Sequence, residues 1–239
     1  MLNVAIDKLL MLDIETVSQY PEYGNMSERW QELWQHKANQ YLKDGDTAET
    51  LYPKRASILA EFGKIICISM GYFRIENDKY TLRIHSFANE DERSLLESFL
   101  EVVAQWQKLK KGFAFCGHNI KEFDMPYICR RLLVNHIPIP SFMDFQSMKP
   151  WETNVVDTMQ FWKFGDFKNF ITLNLLAACL DVESPKDDID GSMVGDIYWK
   201  ENDLPRIVVY CQKDVVTVAQ IILRMKAQPL LGPTQIDIV

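Results

Sequence analysis

No stretch of this sequence approaches the roughly 18 uninterrupted apolar residues that a membrane span needs, and the N-terminus lacks the basic, apolar, small-residue order of a secretory leader. The expectation is a cytoplasmic protein with no membrane partner. Cysteines are few: Cys67, Cys116, Cys129, Cys179 and Cys211 are scattered, odd in number and contain no C-x-x-C pair. Neither a disulfide framework nor a zinc site is indicated, and buried reduced thiols are expected. An excess of positive charge is also missing, since 26 basic against 33 acidic residues leave a net charge of −7. That is the wrong sign for whole-surface attraction to a polyanion, although an enzyme that gathers acids around metal ions can be acidic overall. There is no internal repeat, low-complexity tract or obvious linker.

What is present is an ordinary globular composition, 47% apolar and 25% charged over 239 residues, enough for one large core. A single domain spanning residues 1–239 is expected. Leu9 to Ile14 reads as a first strand. Ser27 to Leu42 carries Trp30, Leu33, Trp34, Ala38 and Tyr41 at helical spacing, with Ser27 as N-cap, and its tryptophans are expected to pack in the core. Ile65 to Phe73 and Tyr80 to Phe87 are strand-like runs flanking an Asn77-Asp78 turn, hence an antiparallel pair. A helix from Asn89 to Leu109 ends in lysines before Gly112 and leads into a fourth strand, "FAFCGHN". "KEFDMPYICRRLLVNH" is a helix with Pro126 near its start, and "NVVDTM" around Asp157 is a short fifth strand. Thr172 to Leu180, Gly191 to Asn202 and Leu204 to Lys226 all show helical periodicity. A hairpin combined with βα units implies an α/β fold with a mixed sheet flanked by helices.

Two acids interrupt the apolar run "LLMLDIETV". Strand side chains alternate, so Asp13 and Glu15 share one face, about 6 to 7 Å apart, near the strand's C-terminal end, where open α/β sheets bind ligands. Alone, D-x-E is equally compatible with a strand that stops at Leu12 and leaves both acids solvated. A second group, "HNIKEFDMP", places Asp124 at a helix start, where an acid complements the dipole, with Asn119 and Phe123 beside it. An amide and an aromatic ring there suit a nucleotide strand's end, one by hydrogen bonding and the other against a base. The third, "YCQKDVV", puts Tyr210 and Asp214 at i and i+4 on one face of an apolar helix, where a charged Asp214 needs a partner, Lys213 or Arg206, or a metal. Together these supply four carboxylates and a phenol. Carboxylates without a His or Cys cluster suit Mg²⁺ or Mn²⁺, and two such ions about 3.5 to 4 Å apart serve in-line phosphoryl displacement.

"DIET", "HNIKEFD" and "YCQKD" resemble, in order and context, the three motifs D-x-E, N-x3-F-D and Y-x3-D of the DEDD superfamily of 3′-5′ exonucleases, in its tyrosine-bearing branch. The likeness runs from Leu9 to about Arg224 and is greatest to stand-alone exonucleases similar to the proofreading domain of family B DNA polymerases, so no attached polymerase domain is expected. It implies an RNase H-like fold with a five-stranded mixed sheet. It further implies that Asp13, Glu15, Asp124 and Asp214 hold two divalent ions, that Tyr210 helps orient the attacking water, and that Thr16, Asn119 and Phe123 lie along the 3′-terminal nucleotides. The implied substrate is the 3′ end of a single-stranded nucleic acid, DNA favoured over RNA. An RNA-trimming exoribonuclease and a non-catalytic nucleic-acid-binding module remain as alternatives.

Two departures stand beside the likeness. A helical insertion at about 18–61 follows the first motif and could cover the cleft or thicken the core. "PKDDIDGS" resembles part of a calcium loop, but Lys186 occupies the first ligand position and the final glutamate is missing, so that reading fails. His118 reads as a local structural histidine, because Tyr210 fills the slot that defines the branch. Arg130 with Arg131, Lys108 with Lys110 and Lys111, and Lys163 with Lys168 are candidate basic patches for a phosphate backbone, though such pairs are ordinarily solvated faces.

Overall fold

The computed structural model describes residues 4–76, 79–146, 148–149, 152–166, 168–183 and 189–239. Among these, strands β1 (Leu9–Ser18), β2 (Gly63–Glu76), β3 (Lys79–Ala88), β4 (Ala114–Gly117), β5 (Val155–Asp157) and β6 (Ile236–Ile238) form one mixed sheet in the order β5-β4-β1-β2-β3-β6. The antiparallel meander β1-β2-β3 is extended by parallel pairings of β4 to β1, β5 to β4 and β6 to β3. The fold class is as expected, with one strand more. β6 pairs only Leu82, Arg83 and Ile84 with its three residues, too short a run to carry a periodicity of its own.

β1 shows how the two-residue period divides the core. Leu10, Leu12 and Ile14 face helices α3 (Glu92–Leu109) and α4 (Asp124–Val134), where they pack with Leu96, Phe99, Val103, Ile128 and Leu132. Leu9 and Met11 face the opposite way, against Val215, Val218, Ala219 and Ile222 of the long helix α8 (Leu204–Met225). Asp203 caps α8 by accepting the Arg206 N–H, with Pro205 in the first turn, where its missing N–H costs nothing. α8 approaches the sheet closely at Gly71 of β2. A Cβ there would stand 2.8 Å from Val215 Cγ1, so only glycine lets the helix settle at this depth.

The face bearing α3 and α4 is tied by a buried ion pair. Arg131 Nε donates to Glu92 Oε1 at 2.8 Å, and Arg131 Nη1 donates to the Ala60 carbonyl at 2.9 Å. Glu92 also accepts the Ile65 N–H at 2.7 Å. α3, α4, the start of β2 and the 56–62 turn are thereby locked together. This removes Arg131 from the basic patch expected with Arg130: its side chain is buried. Lys110 pairs with Asp7 at 2.9 Å, and Lys163 sits over the Phe170 ring.

Between β1 and β2, helices α1 (Glu28–Ala38) and α2 (Ala48–Arg55) build a small cluster of their own around Trp34, Tyr52, Ala56 and Phe62. Ser27 is the N-cap of α1 but its side chain makes no cap hydrogen bond. Trp34 and Ala38 are buried as expected, whereas Trp30 and Leu33 are 42% and 44% exposed. The apolar stripe is narrower than the spacing suggested, because α1 buries only its inner edge and Trp30 meets Phe62 edge-on. α2 was not anticipated, and Pro53 lies inside it.

The remaining helices are α5 (Thr158–Lys163), α6 (Leu173–Cys179) and α7 (Val194–Asp196), the last followed by a wide turn at Ile197–Glu201 that Asn202 ends in a left-handed conformation. Cys67, Cys116 and Cys211 are buried free thiols, but Cys179 is exposed. Asn77, Asp78 and Lys186 lie outside the described residues. Among the described residues no helix is long and apolar enough to cross a membrane.

The ion pair supports a prediction. Arg131→Met should lower unfolding free energy by about 3 to 5 kcal/mol, because it leaves Glu92 buried and unpaired. Denaturant titration measures this. The Glu92→Met/Arg131→Met double variant should lose less than the sum of the two single changes.

Candidate active site

β1 continues past the apolar segment with the same alternation, so Asp13 and Glu15 follow Leu9 and Met11 onto the α8 face. Glu15 lies opposite Cys67 of β2, and the β1-β2 register shifts between Glu15 and Thr16, with Ile66 as the extra residue. Such an irregularity ends regular pairing beside the acids. From the other side α8 presents Tyr210, Cys211 and Asp214, which its 3.6-residue period groups over the strand end. The Cys211 thiol donates toward Asp13 Oδ2 at 3.3 Å and the Asp13 carbonyl at 3.4 Å. One carboxylate oxygen each of Asp13 and Glu15 and the Cys211 sulfur lie within 4.8 Å of one another.

Asp124 arrives by a different route. β4 pairs with β1 only as far as Cys116 opposite Met11, which leaves the Ile14 N–H without a strand partner, and Asp124 Oδ1 accepts it at 3.2 Å. The turn that makes this possible starts at Gly117, where a Cβ would stand 2.9 Å from the Leu12 carbonyl oxygen. It continues through Asn119 in a left-handed conformation (φ 60°), which asparagine tolerates better than most residues. Asp157, fully buried at the end of β5, holds the turn. Its Oδ1 accepts the Asn119 N–H at 3.0 Å and its Oδ2 the Lys121 N–H at 3.1 Å, while Oδ1 also caps α5 through the Met159 and Gln160 N–H groups.

Burial and mutual repulsion dominate the electrostatics. Burial first, then the charges of Glu15, Asp124 and Asp214, hold the Asp13 carboxyl well above the usual range. Glu15 is raised for the same reason, with Asp214 its strongest charged neighbour. Burial pushes Asp124 up to about 7 against the hydrogen bond from Ile14. The Tyr210 phenol is raised by burial and by the Asp214, Glu15 and Asp13 carboxylates, and it hydrogen-bonds Asp214. Asp13, Glu15, Asp124, Tyr210 and Asp214 thus share one electrostatic neighbourhood. Arg206, considered as a partner for Asp214, ion-pairs with Glu201 at 2.9 Å.

Thr16 points to the other face of β1, where it hydrogen-bonds the Tyr127 phenol. That phenol donates to the Ser57 carbonyl at 2.7 Å. Phe123, half-buried, packs against the Tyr127 ring with centroids 5.4 Å apart, so Tyr127 links Thr16 and Phe123. The Phe123 N–H donates to the Asn119 carbonyl, which keeps these two in the turn that leads into Asp124. His118 is held by Thr158 Oγ1 and the Ile171 carbonyl, each at 2.9 Å. The carbonyl requires an N–H at Nε2, consistent with a structural role.

Two residues at the site escaped the sequence reading. Asp157 had a signal, an acid directly before Thr158 where α5 begins. Cys211 had a weaker one, three residues before Asp214 on the same helix. A cavity of about 960 Å³ lies elsewhere, bounded by Met125, Cys129, Leu133, Met143, Val155 and Val156. None of the clustered acids lines it.

Hard divalent cations fit this donor set. Oxygen donors predominate, they converge from β1, α4 and α8, and they repel one another when ionised, a cost that a cation between them relieves.

Residues 58–229 match a family described as "Predicted 3′-5′ exonuclease related to the exonuclease domain of PolB". The match takes in Asp124, Tyr210 and Asp214 and begins after β1. The fold is similar to part of the family B DNA polymerase from the hyperthermophilic archaeon Pyrobaculum calidifontis, with a TM-score of 0.57 and 17% identity. That similarity covers 91% of this chain and 24% of the polymerase chain. No curated protein matches.

The raised carboxyls set the sign of a pH effect. Between the ordinary value of 3.8 and about 7, folded Asp124 keeps a proton that the unfolded chain has lost. Its contribution to stability is therefore complete below the ordinary value and is lost as pH rises through about 7. Asp13 and Glu15 act in the same direction. The metal-free protein should melt at a lower temperature at about pH 7.5 than at about pH 5.5, and Mg²⁺ or Mn²⁺ should reverse the fall. Thermal scans with and without a chelator measure both.

Proposed function

Because the chain belongs to the family of predicted 3′-5′ exonucleases related to the exonuclease domain of PolB, we propose that it removes nucleoside 5′-monophosphates from the 3′ end of single-stranded DNA. It does so with two divalent ions, Mg²⁺ or Mn²⁺. The observation that carries this reading is the convergence of Asp13 and Glu15 from β1, Asp124 from α4, and Tyr210 and Asp214 from α8 on one partly buried spot. Family kinship to a DNA polymerase's exonuclease domain favours DNA over RNA.

In this reading Asp13, Glu15, Asp124 and Asp214 hold the ions. When bound, such a pair stabilises the attacking and leaving oxygens of an in-line displacement and makes a hydroxide nucleophile accessible at neutral pH. Tyr210 acts as a hydrogen-bond donor rather than a base, because burial and three carboxylates keep its proton in place. It is anchored to Asp214 and orients the attacking water. The Ile14 N–H fixes Asp124, so the position of that carboxylate is set by the backbone of the strand that carries the other two. Phe123 offers a ring to a terminal base, and Asn119 and Thr16 offer polar groups along the same strand.

Degradation of matched 5′-labelled DNA and RNA strands tests the proposal. The wild type should shorten DNA from its 3′ end in Mg²⁺ or Mn²⁺ and prefer it to RNA. Asp13→Ala should abolish cleavage, and Tyr210→Phe should slow it by about 10²-fold through misplacement of the water. Preferential cutting of RNA would establish an exoribonuclease instead. Tight binding without cleavage across divalent metals and pH would establish a non-catalytic module.

A further inference from the structure

Cys211 is the one donor in the tight group that the carboxylate chemistry does not use. Its sulfur lies within 4.8 Å of one oxygen of each of Asp13 and Glu15, and its thiol is directed at the Asp13 carboxylate. Among the described residues no other set of His, Cys, Asp or Glu side chains gathers so closely. Two carboxylate oxygens and a sulfur form a three-ligand set that leaves a fourth position for water, an arrangement suited to a tetrahedral, thiophilic ion. Mg²⁺ and Mn²⁺ favour oxygen, whereas Zn²⁺ and Cd²⁺ gain from thiolate.

We propose that Asp13, Glu15 and Cys211 form a thiolate-containing site for Zn²⁺ or Cd²⁺ that competes with the catalytic ions. The inference rests on the two-ion reading given above, since it assigns a second class of metal to two of the same carboxylates. Binding replaces the S–H bond of Cys211 with a metal–sulfur bond and releases that proton to solvent, together with any proton still held by the Asp13 and Glu15 carboxyls. An ion so held takes carboxylate oxygens that the Mg²⁺ or Mn²⁺ pair needs, and Zn²⁺ therefore acts as an inhibitor relieved by chelation.

Titration of the intact metal-free protein with Cd²⁺, followed by the ultraviolet thiolate-to-metal charge-transfer band, tests this without relying on activity. The wild type should bind one Cd²⁺ with the band, and Cys211→Ser should lose the band and at least tenfold in Zn²⁺ affinity. Circular dichroism checks that each variant is folded, and the wild-type titration itself depends on no variant. Cys67 lies beside Cys211, so Cys67→Ala should keep the band. A wild type that saturates with Cd²⁺ without a band, or a band that survives Cys211→Ser and disappears with Cys67→Ala, would overturn the proposal. Mn²⁺-dependent cleavage by that band-free wild type would leave the exonuclease reading standing. A wild type that shows the band yet never cuts DNA would support the sulfur site and defeat that reading.

Discussion

Carboxylates that repel one another are held together largely out of water in this protein, and the rest of the fold is arranged around that cost. Burial raises Asp13, Glu15 and Asp124 together, and each carboxylate raises its neighbours further. Ionised groups in such a place are tolerated when a counter-charge meets them, and in its absence they keep their protons. On the proposed reading, divalent cations supply that counter-charge. The same reading reconciles a net charge of −7 with a polyanionic substrate, because bound ions would reverse the local field.

Three devices hold the acids in register. The two-residue period of β1 puts Asp13 and Glu15 beneath α8, and Gly71 lets that helix come close enough to bring Tyr210, Cys211 and Asp214 over them. The early end of β4 frees the Ile14 N–H for Asp124. Asp157 then fixes the 117–121 turn through backbone N–H groups. On the far side, the Glu92–Arg131 pair joins α4 to α3 and to the 56–62 turn. A displacement of α4 would carry Asp124 away from β1, so this distant ion pair bears on the geometry of the site.

Much of this was legible in the sequence because it follows local rules. Asp13 and Glu15 two apart in a strand, Asp124 at a helix start, and Tyr210 and Asp214 four apart in an apolar helix each declare their direction by spacing alone. Features that depend on distant partners were not legible. β6 is three residues whose strand character comes from pairing with β3. The exposure of Trp30 and Leu33 reflects how little surface the α1–α2 pair has to cover them, which helical spacing does not specify. Arg131 looked like half of a basic pair until Glu92, 39 residues away, claimed it. Cys211 meets Asp13 across 198 residues, and cysteine spacing rules hold no pattern for a thiol beside an acid.

The central claim is that the ends of β1, α4 and α8 form a seat for two ions. Crystals grown with Mn²⁺ and a nucleoside 5′-monophosphate, measured for anomalous scattering, address it directly. The account predicts two anomalous peaks about 3.5 to 4 Å apart, bounded by Asp13, Glu15, Asp124 and Asp214, with the nucleotide phosphate touching both. Peaks elsewhere on the molecule, or a nucleotide bound away from these acids, would contradict it.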